Sequence, residues 1–258
     1  EGMYIDGCAH WIVGTNPKSD LFPLWKHVGA FDEHTHIYPA EYLTVFQTPH
    51  GDFSFDADFP RLEKEMLRRY PEDIKPIRKM FRTIRHYQTV RIPVKKPLEQ
   101  MNPFSLLAFA LPMIPMALSM QKYKHVSLNR YTERFHNPDL ANILTRFLEG
   151  NYNSHSLFYV LQAFASGDAG VVEGGSLKML LRIVDRYRSL GGKLYLHSPV
   201  KKIVTSGKRA TGILLEDGRT IPADYVISAV DMHHAIYDLL GDQYQDEYYH
   251  LRFKNQLD

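Results

Sequence analysis

The side chains able to do acid–base, nucleophilic or metal chemistry are spread along this 258-residue sequence rather than gathered into a motif. His34 and His36 are spaced as two ligands on one strand face would be, and His233-His234 repeats the suggestion. No third ligand stands at a supporting distance from either pair, so no metal is expected. Cys8 is the single cysteine. That excludes an intrachain disulfide and a cysteine-based zinc site and fits a reducing compartment, and nothing near Cys8 marks it as an activated thiol. Ser154-His155 juxtaposes hydroxyl and imidazole without the glycine-flanked elbow that exposes a serine nucleophile. His125, His136 and Glu149 stand singly. No catalytic side chain declares itself.

Composition narrows the class. Lys and Arg number 31 against 29 Asp and Glu, a net charge of +2, so there is no basic excess to attract nucleic acid. With 44% hydrophobic and 23% charged residues, the chain is an ordinary globular one, long enough for one large domain or two intergrown ones. The densest basic stretch runs from Arg68 to Arg85 at helical spacing and reads as a solvated helix face, with contact to acidic lipid headgroups as the alternative. The chain opens on Glu-Gly with no charged-then-apolar leader pattern, so its start reads as a boundary inside a longer protein.

The elements that must position any site follow from periodicity. Residues 3–13 are β-prone and run into a Gly14-Thr-Asn-Pro17 turn; Ser19 or Asp20 then caps a short helix over Leu21 to Val28. Tyr42 to Phe55 alternates as a hairpin turning near His50-Gly51. Asp58 and Pro60 open a helix that Pro71 interrupts and Ile74 to Ile84 continues. Leu106–Met120 is an uncharged run of 15 residues containing Pro112 and Pro115. It is shorter than the about 20 apolar residues of a membrane span. It reads either as a kinked buried helix or as a hydrophobic lid that dips into a bilayer. Residues 127–165 are helical, with a start at Asn137-Pro138-Asp139.

Residues 170–235 have a clearer grammar. Gly174-Gly175-Ser176 precedes an amphipathic helix that stops at Gly191-Gly192, with Ser176 as the expected N-cap. Strands are expected at 193–197, 200–205 and 210–215, with a hairpin turn at Asp217-Gly218. Tyr225 to Val230 is an apolar run of the kind buried on both faces of a parallel sheet.

That series, with "SPVKKIV" and "GKRATGILLEDGRTIPADYVISAVD", resembles the flavoprotein superfamily of phytoene desaturases, carotenoid isomerases, retinol saturases and flavin amine oxidases. The Ser228-Ala229-Val230-Asp231 ending and the opening Gly2-Met-Tyr-Ile-Asp-Gly7 look closest to the desaturase branch. The resemblance implies a mixed α/β (α+β) fold. A partial FAD-binding Rossmann-like domain, residues 1–15 and 166–240, would be interwoven with a substrate-binding cap of helices and a small antiparallel sheet, residues 16–165. Residues 241–258 would begin a further segment.

The same resemblance implies hydride transfer between FAD and a hydrophobic, isoprenoid, polyene or lipid-like molecule, with the cofactor carrying the chemistry. A flavin amine oxidase and a non-catalytic, membrane-docking ligand module are the alternatives. No Gly-x-Gly-x-x-Gly loop for the pyrophosphate occurs in the sequence, so FAD is expected in the intact protein and not in this internal fragment, which is expected to be inactive alone. By resemblance, Val200 contacts the adenine, Ala229 and Asp231 lie near the cofactor cleft, and Gly174 and Gly175 approach it more weakly. His10, Trp11, Phe109 and Met113 are the candidate substrate contacts. A cytoplasmic protein with peripheral membrane contact is expected.

Overall fold

Short polar side chains and prolines set the helix starts in this chain. In the computed structural model, which describes residues 6–7, 11–48, 50–244 and 246–254, contacts divide the chain into two units, Glu1–Gly192 and Lys193–Asp258. The first unit holds β1 (Ile12–Val13), α1 (Phe22–His27), β2 (Ile37–Pro39), β3 (Tyr42–Phe46) and β4 (Phe53–Asp56). It continues with α2 (Phe59–Arg69), α3 (Ile74–His86), α4 (Pro103–Ala110), α5 (Ile114–Tyr123) and α6 (Leu128–Thr132). It closes with α7 (Pro138–Phe147), α8 (Ser154–Ala165), β5 (Ala169–Val172) and α9 (Gly175–Ser189). Asp58 caps α2 by accepting the Arg61 N–H at 3.1 Å, and Pro60 fills a first-turn position that needs no donor. Asn102, Ser127, Asn137 and Asn153 cap α4, α6, α7 and α8 in the same way.

The helices enclose an aromatic and aliphatic core. Phe158 sits at its centre, its ring centroid 5.2 Å from Tyr131, 5.3 Å from Tyr123 and 5.8 Å from Tyr87. The β3–β4 hairpin lays Phe53 and Phe55 onto the same core, where Phe55 stacks on Phe147 with centroids 4.8 Å apart. A second, smaller sheet has the antiparallel order β1-β5-β2. Ala30, Phe31 and Val172 pack beside it with Met179 and Ile183 of α9.

Asp73 is fully buried, and its carboxylate accepts three hydrogen bonds. The donors are the His136 N–H at 2.7 Å, the Asn137 N–H at 2.9 Å and the His136 Nδ1 at 3.0 Å. It thereby ties the start of α3 to the start of α7.

The second unit is built on the antiparallel meander β6 (Val200–Ser206), β7 (Arg209–Leu215) and β8 (Thr220–Pro222). A π-helical turn, His234–Leu240, packs on β6, and α10 (Glu247–Lys254) ends the described chain.

Three sequence expectations are corrected here. Residues 193–197 and 225–230 are not strands. A strand exists only where a neighbour pairs with it, and no described segment pairs with either, so Tyr225 and Ile227 stand 89% and 93% exposed. The helix expected to be capped by Ser176 starts two residues earlier, because Gly174 takes the cap position in the left-handed conformation (φ +80°). The short strands β2 and β5, four residues or fewer, had no alternating pattern long enough to be read. Of the expected opening strand only Ile12–Val13 is a described strand; Cys8 and His10 lie outside the described residues.

Asp73→Ala leaves the His136 and Asn137 backbone N–H groups without their buried acceptor, while the exposed His136 ring can turn to water. We expect a loss of about 3 kcal/mol of stability, read as a lower urea midpoint at unchanged m-value.

Candidate functional site

The first unit contains a cavity of about 650 Å³ between the turn after β1, the segment 87–92 and α8. Its volume lies within the roughly 300–1,000 Å³ of small-molecule sites. Asp168, between α8 and β5, forms part of its wall and organises the turn: Oδ1 accepts the Asn16 N–H and Oδ2 the Ser19 hydroxyl, each at 3.1 Å. Burial raises the Asp168 carboxyl above its ordinary value, partly offset by those bonds. Tyr159 and Gln162 of α8 line the cavity, and burial raises the Tyr159 phenol too. The Gln162 side-chain oxygen has no hydrogen-bond partner.

Two polar contacts fix α5, and with it the apolar segment, to this cavity's surroundings. His155 Nε2 donates to the Met120 carbonyl at 2.9 Å, which sets the tautomer and makes Nδ1 the acceptor of the Tyr87 hydroxyl. Burial lowers the His155 pKa, in keeping with a neutral ring. Beside it, His86 Nδ1 and the Ser119 hydroxyl are 2.8 Å apart.

The segment Pro103–Tyr123 forms a 21-residue helical stretch of mean hydropathy 1.7 with only 6% of its apolar window buried, broken by a tight turn at Leu111–Met113. Length and composition alone would let it cross a bilayer. Its C-terminal half is instead seated on the core through Met116, Ser119 and Tyr123, while Phe104 is 86% exposed. Pro112, in the kink, lines the cavity.

The sequence-expected substrate contacts are therefore dispersed. Phe109 and Met113 are half-buried on either side of Pro112. Trp11 packs edge-on against Phe164 with centroids 4.9 Å apart. The polar wall of Asp168, Tyr159, Gln162 and Tyr87 was missed. Tyr159 and Gln162 share a helix face, which is a weak signal, but Tyr87 and Asp168 join them only through tertiary packing.

Gly174 and Gly175 open α9, and the helix's first turn is occupied from within the chain. Ser176 donates its N–H to Asp6 Oδ2 at 2.5 Å and its hydroxyl to Oδ1 at 2.8 Å. A Cβ on Gly175 would come within 2.6 Å of that carboxylate. The negative charge sits where the helix dipole favours it and ties the start of the chain to α9.

In the second unit, Val200 begins β6, which is an edge of its sheet, so backbone groups on the outer side have no strand partner there. Ala229 and Asp231 lie at the end of the exposed apolar run, and Asp231 Oδ1 accepts the His234 N–H at 3.1 Å. His233 stacks on Tyr237, with centroids 4.5 Å apart. Among the described residues no His, Cys, Asp or Glu group is arranged to hold a metal.

Residues 1–247 match the profile of the family described as flavin containing amine oxidoreductase. The chain belongs to that family. It is 30% identical over 237 residues to a phytoene desaturase (lycopene-forming) of a Paracoccus species, covering 89% of this chain and 46% of that protein. It is 25% identical to the phytoene desaturase of Pantoea ananas over 195 residues, 73% of this chain and 38% of the relative. With the hydroxyneurosporene desaturase of Cereibacter sphaeroides it shares 32% identity over 95 residues, 37% of this chain and 19% of the relative. The chain thus spans less than half the length of these relatives.

Toward the flavin that the family implies, the described residues offer the edge strand β6, at whose start Val200 stands. A pyrophosphate needs free first-turn N–H groups. At α9, the one glycine-opened helix among the described residues, the Ser176 N–H is already committed to Asp6.

The neutral His155 gives a signed pH response. With its folded pKa below the ordinary 6.5, the stability it contributes is present above that pH and is lost as pH falls through the folded value. His155→Gln should flatten the fall in urea midpoint below pH 6.5 relative to the native chain. Parallel curves for the two proteins would contradict the neutral-ring assignment.

Proposed function

We propose that this chain is the substrate-facing part of a flavin-dependent oxidoreductase that acts on a hydrophobic molecule of isoprenoid, polyene or lipid-like character. One observation carries the substrate reading: an exposed apolar helical segment, Pro103–Tyr123, contributes its kink residue Pro112 to the wall of a ligand-sized cavity. A greasy molecule leaving a membrane would meet apolar surface from the bilayer to the cavity mouth. The family, and relatives named as phytoene and hydroxyneurosporene desaturases, support the same reading.

Bound flavin would supply the hydride acceptor or donor. The chain's own residues bind, orient and shield the substrate. Trp11, Phe109 and Met113 are proposed as substrate contacts on the apolar side, with His10 completing the set. Val200, Ala229 and Asp231 are proposed to face the flavin nucleotide. Val200 has the best physical support, an unpaired strand edge. Gly174 and Gly175 are the weakest of the proposed cofactor contacts, because the Lys178 and Asp6 side chains already occupy the space beside them.

The proposed division is a flavin-binding part formed by residues 1–15 and 166–240, a cap formed by 16–165, and a further segment from 241. The leucines of α9 that remain exposed, Leu177, Leu180 and Leu181, and the unpaired apolar runs at 194–196 and 225–230 support it. Such surfaces are what a parallel sheet leaves open until its other strands are present.

The test uses the full-length protein that contains this chain. It should purify with the absorbance of an oxidised flavin and co-float with anionic phospholipid vesicles. Replacing Leu106, Leu107 and Leu111 together by Ser should weaken co-flotation by about tenfold or more. A protein that neither retains nor takes up FAD would overturn the redox reading; unchanged flotation would remove the membrane contact.

A further inference from the structure

We propose that a basic cleft between the start of α3, the end of α5 and the segment after α6 takes the phosphate of an acidic phospholipid headgroup while the exposed face of α4 and α5 rests in the bilayer surface. The proposal rests on the membrane-contact reading of Pro103–Tyr123 and deepens it, naming the lipid class and the residues that select it.

The cleft has a volume of about 460 Å³. Lys75 and Lys79 of α3, Lys122 of α5 and Arg134 line it, and no acid does. Lys75 and Lys79 stand one helical turn apart, a like-charge spacing that destabilises a helix. Elsewhere on α2 and α3 the cations are paired: Arg68 and Arg69 with Glu65, and Arg85 with Glu63. No ion pair among the described residues reaches the four cations of the cleft. Asp73, at the start of α3, is buried with its carboxylate taken up by His136 and Asn137, and Glu133 is exposed outside the wall. Core aromatics hold two of the cations in place. Arg134 Nε donates to the Tyr131 carbonyl at 2.6 Å, its guanidinium lies 3.8 Å over the Tyr131 ring, and Lys122 Nζ lies 5.5 Å from the Tyr123 ring centre. A guanidinium fixed in this way keeps its planar fork ready for phosphate oxygens.

The neighbourhood decides which anion. Ile114, Leu118 and Lys122 follow one another at single turns of α5, so they share a face, and all three are exposed. Phe104, Leu107 and Leu111 extend the exposed apolar surface away from the cleft. Apolar side chains thus run up to a lysine that belongs to the cleft, the order in which a bilayer presents acyl chains and then phosphate. A soluble phosphate or a nucleic acid held by the same cations would leave those leucines in water. An acidic phospholipid satisfies both surfaces at once.

The experiment floats the flavin-loaded full-length protein with vesicles of phosphatidylcholine alone and with vesicles in which about one third of the lipid is phosphatidylglycerol, at about 0.1 M salt. Partitioning onto the acidic vesicles should be about tenfold or more stronger. The triple variant Lys75→Gln, Lys79→Gln, Lys122→Gln changes only exposed side chains. It should erase most of that preference and leave partitioning onto phosphatidylcholine within about twofold. A second triple variant, Lys64→Gln, Lys202→Gln, Lys208→Gln, removes the same charge from exposed positions outside the cleft and should keep the preference. Equal partitioning of the native protein onto both vesicles, a preference that survives the cleft variant, or equal losses in the two variants would overturn the headgroup site and leave the apolar membrane contact standing. Flotation with neither vesicle, by protein with a native circular dichroism spectrum, would overturn both.

Discussion

The first unit depends on burying polar aromatic side chains around Phe158. Tyr87, Tyr123 and Tyr131 bring hydroxyls into a core that otherwise consists of Leu, Ile, Met and Phe. Each ring adds a large apolar area, and each hydroxyl needs a partner or stays a penalty. Tyr87 resolves the problem by donating to His155, which in turn donates to the Met120 carbonyl. The relay joins three elements distant in sequence: the end of α3, the end of α5 and the start of α8. Tyr131 leaves its hydroxyl unpartnered, and the Arg134 guanidinium lies 3.8 Å over the face of its ring.

That relay explains how an exposed apolar helix is tolerated. An isolated helix like α4 has no charged face to dissolve it and no core to cover it. Here the following helix is held by backbone and side-chain hydrogen bonds, so the greasy stretch is anchored at one end and presented at the other. The kink between them, imposed where Pro112 and Pro115 remove backbone donors, turns a residue of that stretch into the cavity wall.

The second unit shows what a partly matched family member leaves open. Its meander is held by six paired positions between β6 and β7, with Leu215 buried. The flanking runs at 193–198 and 223–230 carry strand-like apolar sequence without strand partners. Hydrogen bonding, not side-chain preference, is what converts such a run into a strand.

By itself the sequence determined the local elements and the family. Asp58-Phe-Pro60, Asn102-Pro103 and Asn137-Pro138 fix helix starts because a short polar cap and a proline act within one turn. The hairpin Tyr42–Asp56 and the meander from Val200 were readable because alternation and glycine turns are local too. The glycine pair, the helix after it and the "SPVKKIV" meander carried the resemblance that the family match bears out. Tertiary structure alone decided the rest. Asp6 on the first turn of α9 bridges 170 residues, Asp168 gathers Asn16 and Ser19 across about 150, and Tyr87 finds His155 across 68. No periodicity encodes such pairs, because each partner is chosen by what the packed core brings within about 3 Å of a buried polar atom.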